Sequence, residues 1–90
     1  MARLIEAFVA AGERLGLPPE VARELTLQTF AGTARLLGET GMRPEELVEM
    51  VSSPKGTTVA GRQVLETSGC RQAIIETIAA AARRSKELGL

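Results

Sequence analysis

The sequence predicts an all-α fold of about five helices. Apolar residues recur every three or four positions along most of the chain, which is the spacing of helix faces. Proline and glycine divide these segments at points where helices begin and end. The 90 residues are also too few for more than one small domain, so residues 1–90 are predicted to form a single domain.

Proline and glycine mark the ends of the first two helices. The first is predicted over residues 2–15, where Gly16 ends it. The second is predicted over residues 19–37, with Gly38 and Gly41 bracketing its end. Its interior glycine, Gly32, either permits close approach of another backbone or is a tolerated weak point that costs about 1 kcal/mol. The stripe along this helix includes Val21, Leu25, Gln28, Gly32 and Leu36.

Three further helices are predicted over residues 44–50, 58–66 and 70–88. Pro54 prevents continuation of the third helix, because the residue before a proline is disfavoured in helical conformation. Gly89 lies just past the end of the last helix. The apolar side of the third helix contains Leu47, Val48 and Val51. The inward side of the fifth is predicted to contain Ile74, Ile75, Ile78, Ala81 and Ala82.

Composition favours self-association and argues against a nucleic-acid partner. Formal net charge is zero, whereas nucleic-acid domains usually have a basic excess on one face. The basic cluster Arg83, Arg84 and Lys86 is interpreted as a solvated helix end. Phe8 and Phe30 are the two aromatic residues, so the core is thin and the helices need a partner surface. No apolar run approaches the length of a membrane span, and no membrane partner is expected.

Cys70 is the single cysteine, and the chain has no histidine. An intrachain disulfide is therefore impossible, which fits a cytoplasmic location. A His/Cys zinc site and a Ser-His or Cys-His catalytic pair are excluded within one chain. No metal site is expected, and Cys70 is interpreted as a small core residue rather than a nucleophile.

The turn over residues 52–58, Ser-Ser-Pro-Lys-Gly-Thr-Thr, leads directly into the fourth helix. The first turn of a helix has N–H groups without intrahelical partners and about half a positive charge from the macrodipole. The turn is therefore either an ordinary cap, with Thr57 or Thr58 as the N-cap, or a binding site for a carboxylate or phosphate.

The turn also resembles a segment of a known family. Residues 52–61, Ser-Ser-Pro-Lys-Gly-Thr-Thr-Val-Ala-Gly, are similar to the pattern Ser/Thr-Ser-Pro-Gly-Gly-Thr/Ala-Thr-Ile of pyrroline-5-carboxylate reductases. Supporting blocks lie at residues 13–18, 28–29, 34–37 and 83–88. The resemblance covers nearly the whole chain and is to the C-terminal domain of these enzymes.

The resemblance implies an interlocked homodimer with the fold of the C-terminal domain of 6-phosphogluconate dehydrogenase-like reductases. It also implies reduction of 1-pyrroline-5-carboxylate to proline by NADPH or NADH, which an N-terminal Rossmann domain binds. By position, Ser53 and the backbone N–H groups of Gly56 and Thr57 would hold the substrate carboxylate. Thr58, the catalytic candidate, would face the ring nitrogen. An unperturbed threonine is a poor acid, so orientation is favoured over proton delivery.

The sequence departs from the family pattern in three places. Lys55 stands where the family commonly has glycine, and its ammonium would either point to solvent or approach the substrate carboxylate or cofactor phosphate. Cys70 stands where phenylalanine is frequent. No Gly-x-Gly-x-x-Gly follows a strand, so no cofactor-binding residue is expected in this chain, and Met1 is expected to begin a fragment.

Two functional hypotheses remain. In the first, the chain is the dimerisation and substrate-binding part of the reductase and is inactive alone. In the second, it is a non-catalytic helical homo-oligomerisation module. The choice between NADPH and NADH, and assembly beyond a dimer, are left open by the sequence.

Overall fold

A computed structural model describes residues 1–52 and 56–89. Within these ranges the chain forms five helices and no strand, which confirms the predicted all-α class. The helices are α1 (Ala2–Arg14), α2 (Pro19–Thr40), α3 (Pro44–Met50), α4 (Thr57–Thr67) and α5 (Cys70–Glu87). The chain divides into two compact units, Met1–Leu47 and Val48–Leu90.

In the first unit, α1 and α2 form a helical hairpin whose turn is set by Gly16. This residue has φ of 103°, a left-handed conformation that glycine adopts without a side-chain clash. The N–H of Leu17 donates to the carbonyl of Gly12 at 3.0 Å, and the N–H of Gly16 donates to the carbonyl of Glu13 at 3.0 Å. These two bonds are those of a Schellman motif, which satisfies carbonyls at the end of α1.

Small residues let α1 and α2 approach closely. Ala22 is 2% exposed, and Thr26 is also buried. A Cβ added to Gly12 would lie 3.1 Å from the Cβ of Ala22, so this position has almost no room for a side chain. The rings of Phe8 and Phe30 pack edge to face, with centroids 5.1 Å apart and an interplanar angle of 85°. The two aromatic residues of the chain thus hold the two helices together.

Helix α2 extends beyond its predicted end. It continues to Thr40, and Gly41 ends it in the left-handed conformation with φ of 70°. The predicted end near Leu37 is therefore wrong, because Gly38 is tolerated inside the helix and only Gly41 acts as the terminator. Around Gly32, no atom lies within 4 Å of where a Cβ would be, so the described chain makes no close approach there.

The stripe predicted along α2 is not the face that packs against α1. The packed face carries Ala22 and Thr26, one position further along than Val21 and Leu25. A shift of one residue rotates the face by about 100°. The predicted stripe stays exposed at Val21, Leu25, Gln28, Gly32 and Leu36. Helix α2 therefore has one face satisfied within the chain and a neighbouring apolar face that is not.

In the second unit, α4 packs against α5 across a tight connection. The hydroxyl of Ser68 donates to the carbonyl of Leu65 at 2.6 Å and accepts from the N–H of Cys70 at 3.2 Å. Gly69 has φ of 81°. Helix α4 runs over Thr57–Thr67, one residue longer at each end than predicted, and α5 ends at Glu87.

The predicted inward side of α5 is exposed in the single chain. This holds for all five residues of that side: Ile74, Ile75, Ile78, Ala81 and Ala82. Cys70 is half-buried rather than fully enclosed. The prediction of an inward face is therefore wrong for one chain alone, because α4 covers too little of α5. Within the described residues, none of the helices combines the length and apolarity needed to cross a membrane.

Candidate functional site

Helix α4 begins at a glycine rather than at a threonine cap. Gly56 is the N-cap and has φ of −83° and ψ of 166°, an extended conformation. Its carbonyl accepts from the N–H of Ala60 at 3.4 Å, which closes the first turn. The expectation that Thr57 or Thr58 is the N-cap is therefore wrong: both residues lie inside the helix, and none of the described side chains caps it.

Without a capping side chain in residues 1–52 and 56–89, the start of α4 is suited to an external acceptor. The N-cap glycine has no side-chain oxygen to accept from the first-turn N–H groups. No acidic residue lies in this first turn, whereas α2 has Glu20 there and α3 has Glu45 and Glu46. A carboxylate placed at this helix start would meet the positive end of the macrodipole without repulsion from its first turn.

Three of the four predicted site residues lie at the start of α4. Gly56, Thr57 and Thr58 are consecutive at the start of α4, and the two threonines are exposed. Both threonine hydroxyls therefore lie where solvent or a ligand can reach them. Ser53, the fourth predicted residue, and Lys55 lie outside the described residues.

Arg62 is a further residue near this site that the sequence analysis did not single out. It lies four positions after Thr58, one turn along α4 on the same side. Its Nε donates to Glu66 at 2.7 Å, and its terminal nitrogen lies 3.1 Å from a carboxylate oxygen of Glu49. Hydrogen bonds to Glu66 and then to Glu49 raise the pKa of Arg62 above its ordinary value.

Only part of this arrangement has a sequence signal. The pair of Arg62 and Glu66 has the i,i+4 spacing of neighbours on a helix face. The pair of Arg62 and Glu49 joins α4 to α3 and has no such periodic spacing. Local pattern reasoning could therefore have found the first pair but not the second.

The chemistry available here is anion recognition by backbone amides and hydroxyls. Across residues 1–52 and 56–89, no group of three or more His, Cys, Asp or Glu side chains is placed to bind a metal ion. A hydroxyl such as that of Thr58 can both donate and accept a hydrogen bond. Groups of this kind are suited to binding a small carboxylate, and they supply no electron donor for a redox step.

These features define an all-α domain with exposed apolar helix faces and a helix, α4, that starts at a glycine with no acidic residue in its first turn. A family model described as pyrroline-5-carboxylate reductase dimerisation matches residues 1–88. The chain belongs to this family.

Relatives named pyrroline-5-carboxylate reductase match almost the whole chain. The protein from Synechocystis sp. is 51% identical over 89 residues, which are 99% of this chain and 33% of the relative. That from Corynebacterium melassecola is 49% identical over 84 residues, 93% of this chain and 31% of the relative. Pyrroline-5-carboxylate reductase 1 of Bacillus subtilis is 45% identical over 85 residues, 94% of this chain and 29% of the relative. The chain therefore spans about a third of the length of these curated relatives.

Proposed function

We propose that this chain is the C-terminal, dimer-forming and substrate-binding part of a pyrroline-5-carboxylate reductase. The whole enzyme would reduce the cyclic imine 1-pyrroline-5-carboxylate to L-proline. The observation that supports the site most directly is the start of α4, which has a glycine N-cap, no cap from a described side chain and no acidic residue in its first turn. The family match over residues 1–88 supports the assignment to this enzyme.

The backbone N–H groups of Gly56 and Thr57, with the hydroxyl of Ser53, are proposed to hold the substrate carboxylate. Amide donors fixed by a helix are already oriented before the substrate arrives, so binding costs little reorganisation. Holding the carboxylate would also fix the ring attached to it. The imine carbon would then be presented to the hydride donor in one orientation.

The hydroxyl of Thr58 is proposed to hydrogen-bond the ring nitrogen. A hydroxyl can donate to the imine nitrogen and accept from the amine of the product, so one residue serves both states. Its role is orientation rather than proton transfer, because an ordinary alcohol is too weak an acid to protonate the imine.

A nicotinamide cofactor, NADPH or NADH, would supply the hydride. The sequence has no Gly-x-Gly-x-x-Gly, so we propose that a Rossmann domain outside this sequence binds it. The isolated 90-residue chain should therefore not oxidise NADPH or NADH in the presence of 1-pyrroline-5-carboxylate. The single cysteine supports a proposed cytoplasmic setting.

The exposed faces of α2 and α5 support homodimerisation. Both helices carry large apolar side chains that one chain leaves in water, including Leu25, Leu36, Ile75 and Ile78. Such faces are expected to be covered by a second copy, as the description of the family as a dimerisation domain suggests. The same observation favours a second candidate function, in which the domain only associates and the start of α4 binds nothing.

Turnover by the full-length protein that carries this segment distinguishes the two candidates. Thr58→Ala should lower kcat/KM by about tenfold or more, because the bond that orients the ring is lost, while the dimer stays intact. Thr67→Ala is the matched control, since Thr67 is at the other end of α4 and its hydroxyl, within the described chain, bonds to carbonyls of its own helix. Equal effects of the two variants, or loss of the dimer together with activity, would support the association-only function.

Ligand analogues test the two proposed contacts separately in the same protein. L-Prolinamide lacks the carboxylate and should not compete with substrate. Cyclopentanecarboxylate keeps the carboxylate but lacks the ring nitrogen, so it should compete, and Thr58→Ala should leave its inhibition constant unchanged. Competition by L-prolinamide as strong as by L-proline would contradict a carboxylate site at the start of α4.

A further inference from the structure

One ion pair in the described chain joins two different helices. The pairs of Arg3, Arg35, Arg43 and Arg84 each link residues three or four positions apart. Arg62 also makes such a pair, with Glu66, but its second pair reaches Glu49 in α3. The start of α4 lies between Glu49 and Arg62 in the sequence, so this pair ties α3 to the helix that carries the proposed carboxylate site.

The guanidinium of Arg62 is held in place from both sides. Its Nε bonds to Glu66 at 2.7 Å and its terminal nitrogen lies 3.1 Å from Glu49, so one planar group bridges two carboxylates. The side chain of Arg62 is 33% exposed, whereas the arginines of the other pairs are at least 68% exposed. The hydroxyl of Ser52 donates to the carbonyl of Val48 at 2.6 Å, which ties the chain back as it leaves α3.

We propose that Arg62 is a positioning residue for substrate binding, acting through Glu49 to fix the start of α4 relative to α3. The inference rests on the proposed function, because it assumes that the amides of Gly56 and Thr57 bind the substrate carboxylate. Donors fixed relative to α3 bind without an ordering cost, whereas a helix start that moves relative to α3 must be ordered by the substrate itself. Arg62 touches neither substrate nor cofactor in this scheme.

Removal of the Glu49 carboxylate separates positioning from simple charge effects. Removing a negative charge near an anion site should lower KM for an anionic substrate if only long-range electrostatics acted. Loss of the link between α3 and α4 should instead raise KM, because the amide donors are less well ordered. The two explanations therefore predict opposite signs for Glu49→Gln.

The test uses the full-length protein that carries this segment, with 1-pyrroline-5-carboxylate as the varied substrate. Glu49→Gln should raise KM about threefold, the scale of an exposed ion pair, and leave kcat unchanged. Glu66→Gln is the matched control. It also neutralises one carboxylate that pairs with the guanidinium of Arg62, but it keeps the link to α3, so KM should stay the same or fall. Arg62→Lys keeps the positive charge but cannot bridge two carboxylates in this way, so it should raise KM as Glu49→Gln does.

The outcomes distinguish failure of the inference from failure of the proposed function. An unchanged or lowered KM in Glu49→Gln, together with a large effect of Thr58→Ala, overturns the positioning role alone. Equal rises in KM for Glu49→Gln and Glu66→Gln also overturn it. A fall in kcat that follows a fall in melting temperature shows a purely structural role and overturns it as well. No turnover by the unmodified full-length protein overturns both proposals.

Discussion

Ile78 offers a quantitative test of how the exposed face of α5 is used. Its side chain is 66% exposed in the single chain. Isoleucine has three more side-chain carbons than alanine, which amount to about 2.4 kcal/mol when fully buried at about 0.8 kcal/mol each. About two-thirds of this free energy is still to be gained when a partner covers the exposed part of the side chain, which amounts to about 1.6 kcal/mol per copy. A symmetric dimer buries the residue twice, so Ile78→Ala should weaken dimerisation by about 3 kcal/mol, or about 200-fold in Kd.

Sedimentation equilibrium over a broad concentration range measures this change. Glu76→Ala is the matched control on the same helix, because two residues along a helix correspond to about 200° of rotation, nearly the opposite face. It should change Kd by less than about threefold. If Ile78→Ala leaves Kd unchanged while Glu76→Ala raises it, the dimer uses the other side of α5. The exposed apolar side would then not be the dimer interface. Concentration-independent melting of the unmodified chain would refute the homodimer itself.

The surroundings of two helical glycines and the charge of Arg62 each determine the result of a further measurement. Gly32→Ala should raise the free energy of unfolding of the chain by about 1 kcal/mol when measured below the dimer Kd, since apart from its own stretch of helix backbone no described atom lies within 4 Å of the added methyl group. Gly12→Ala should lower it by about 1 kcal/mol, because crowding against Ala22 outweighs the gain in helix propensity; a gain equal to that of Gly32→Ala would contradict the close contact. The raised pKa of Arg62 means that its contribution to stability is fully present below its unfolded pKa and is lost only at strongly alkaline pH. Arg62 therefore stays charged between pH 6.5 and 8.5, and the difference in KM between the unmodified protein and Glu49→Gln should be constant over this range. Loss of this difference by pH 8.5 would show that another titrating group causes it.

The sequence was sufficient to predict the helices because their end signals are local. The turn at Gly16 ends α1, with the N–H of Gly16 bonding three positions back and that of Leu17 five positions back, and Pro44 begins α3. The end of α2 was mistaken because Gly38 and Gly41 are equally plausible terminators by composition. Only the left-handed backbone of Gly41 distinguishes the terminator from the helical glycine.

The assignment of buried faces was less successful, because burial depends on which helix lies opposite. The pattern on α2 marked a broad apolar surface, but only the edge with Ala22 and Thr26 packs within the chain. Ile74 and Ile78 have the spacing of a core face yet remain exposed. Apolar periodicity identifies surfaces that need covering and does not say whether the same chain provides the cover.

The candidate site was predictable in position and only partly in detail. The fourth helix was placed correctly to within one residue at each end, which located Thr57 and Thr58. The N-cap was mistaken because a threonine cap is common, whereas the extended backbone of Gly56 takes that role here. Arg62 was missed because its link to Glu49 depends on how two helices meet rather than on spacing in the sequence.

The most direct measurement is a crystal structure of the full-length protein with L-proline bound. We expect the carboxylate of proline at the start of α4, within hydrogen-bond distance of the amide nitrogens of Gly56 and Thr57, with the ring nitrogen next to the hydroxyl of Thr58. Proline bound elsewhere, with the start of α4 closed by side chains of the protein itself, would contradict it.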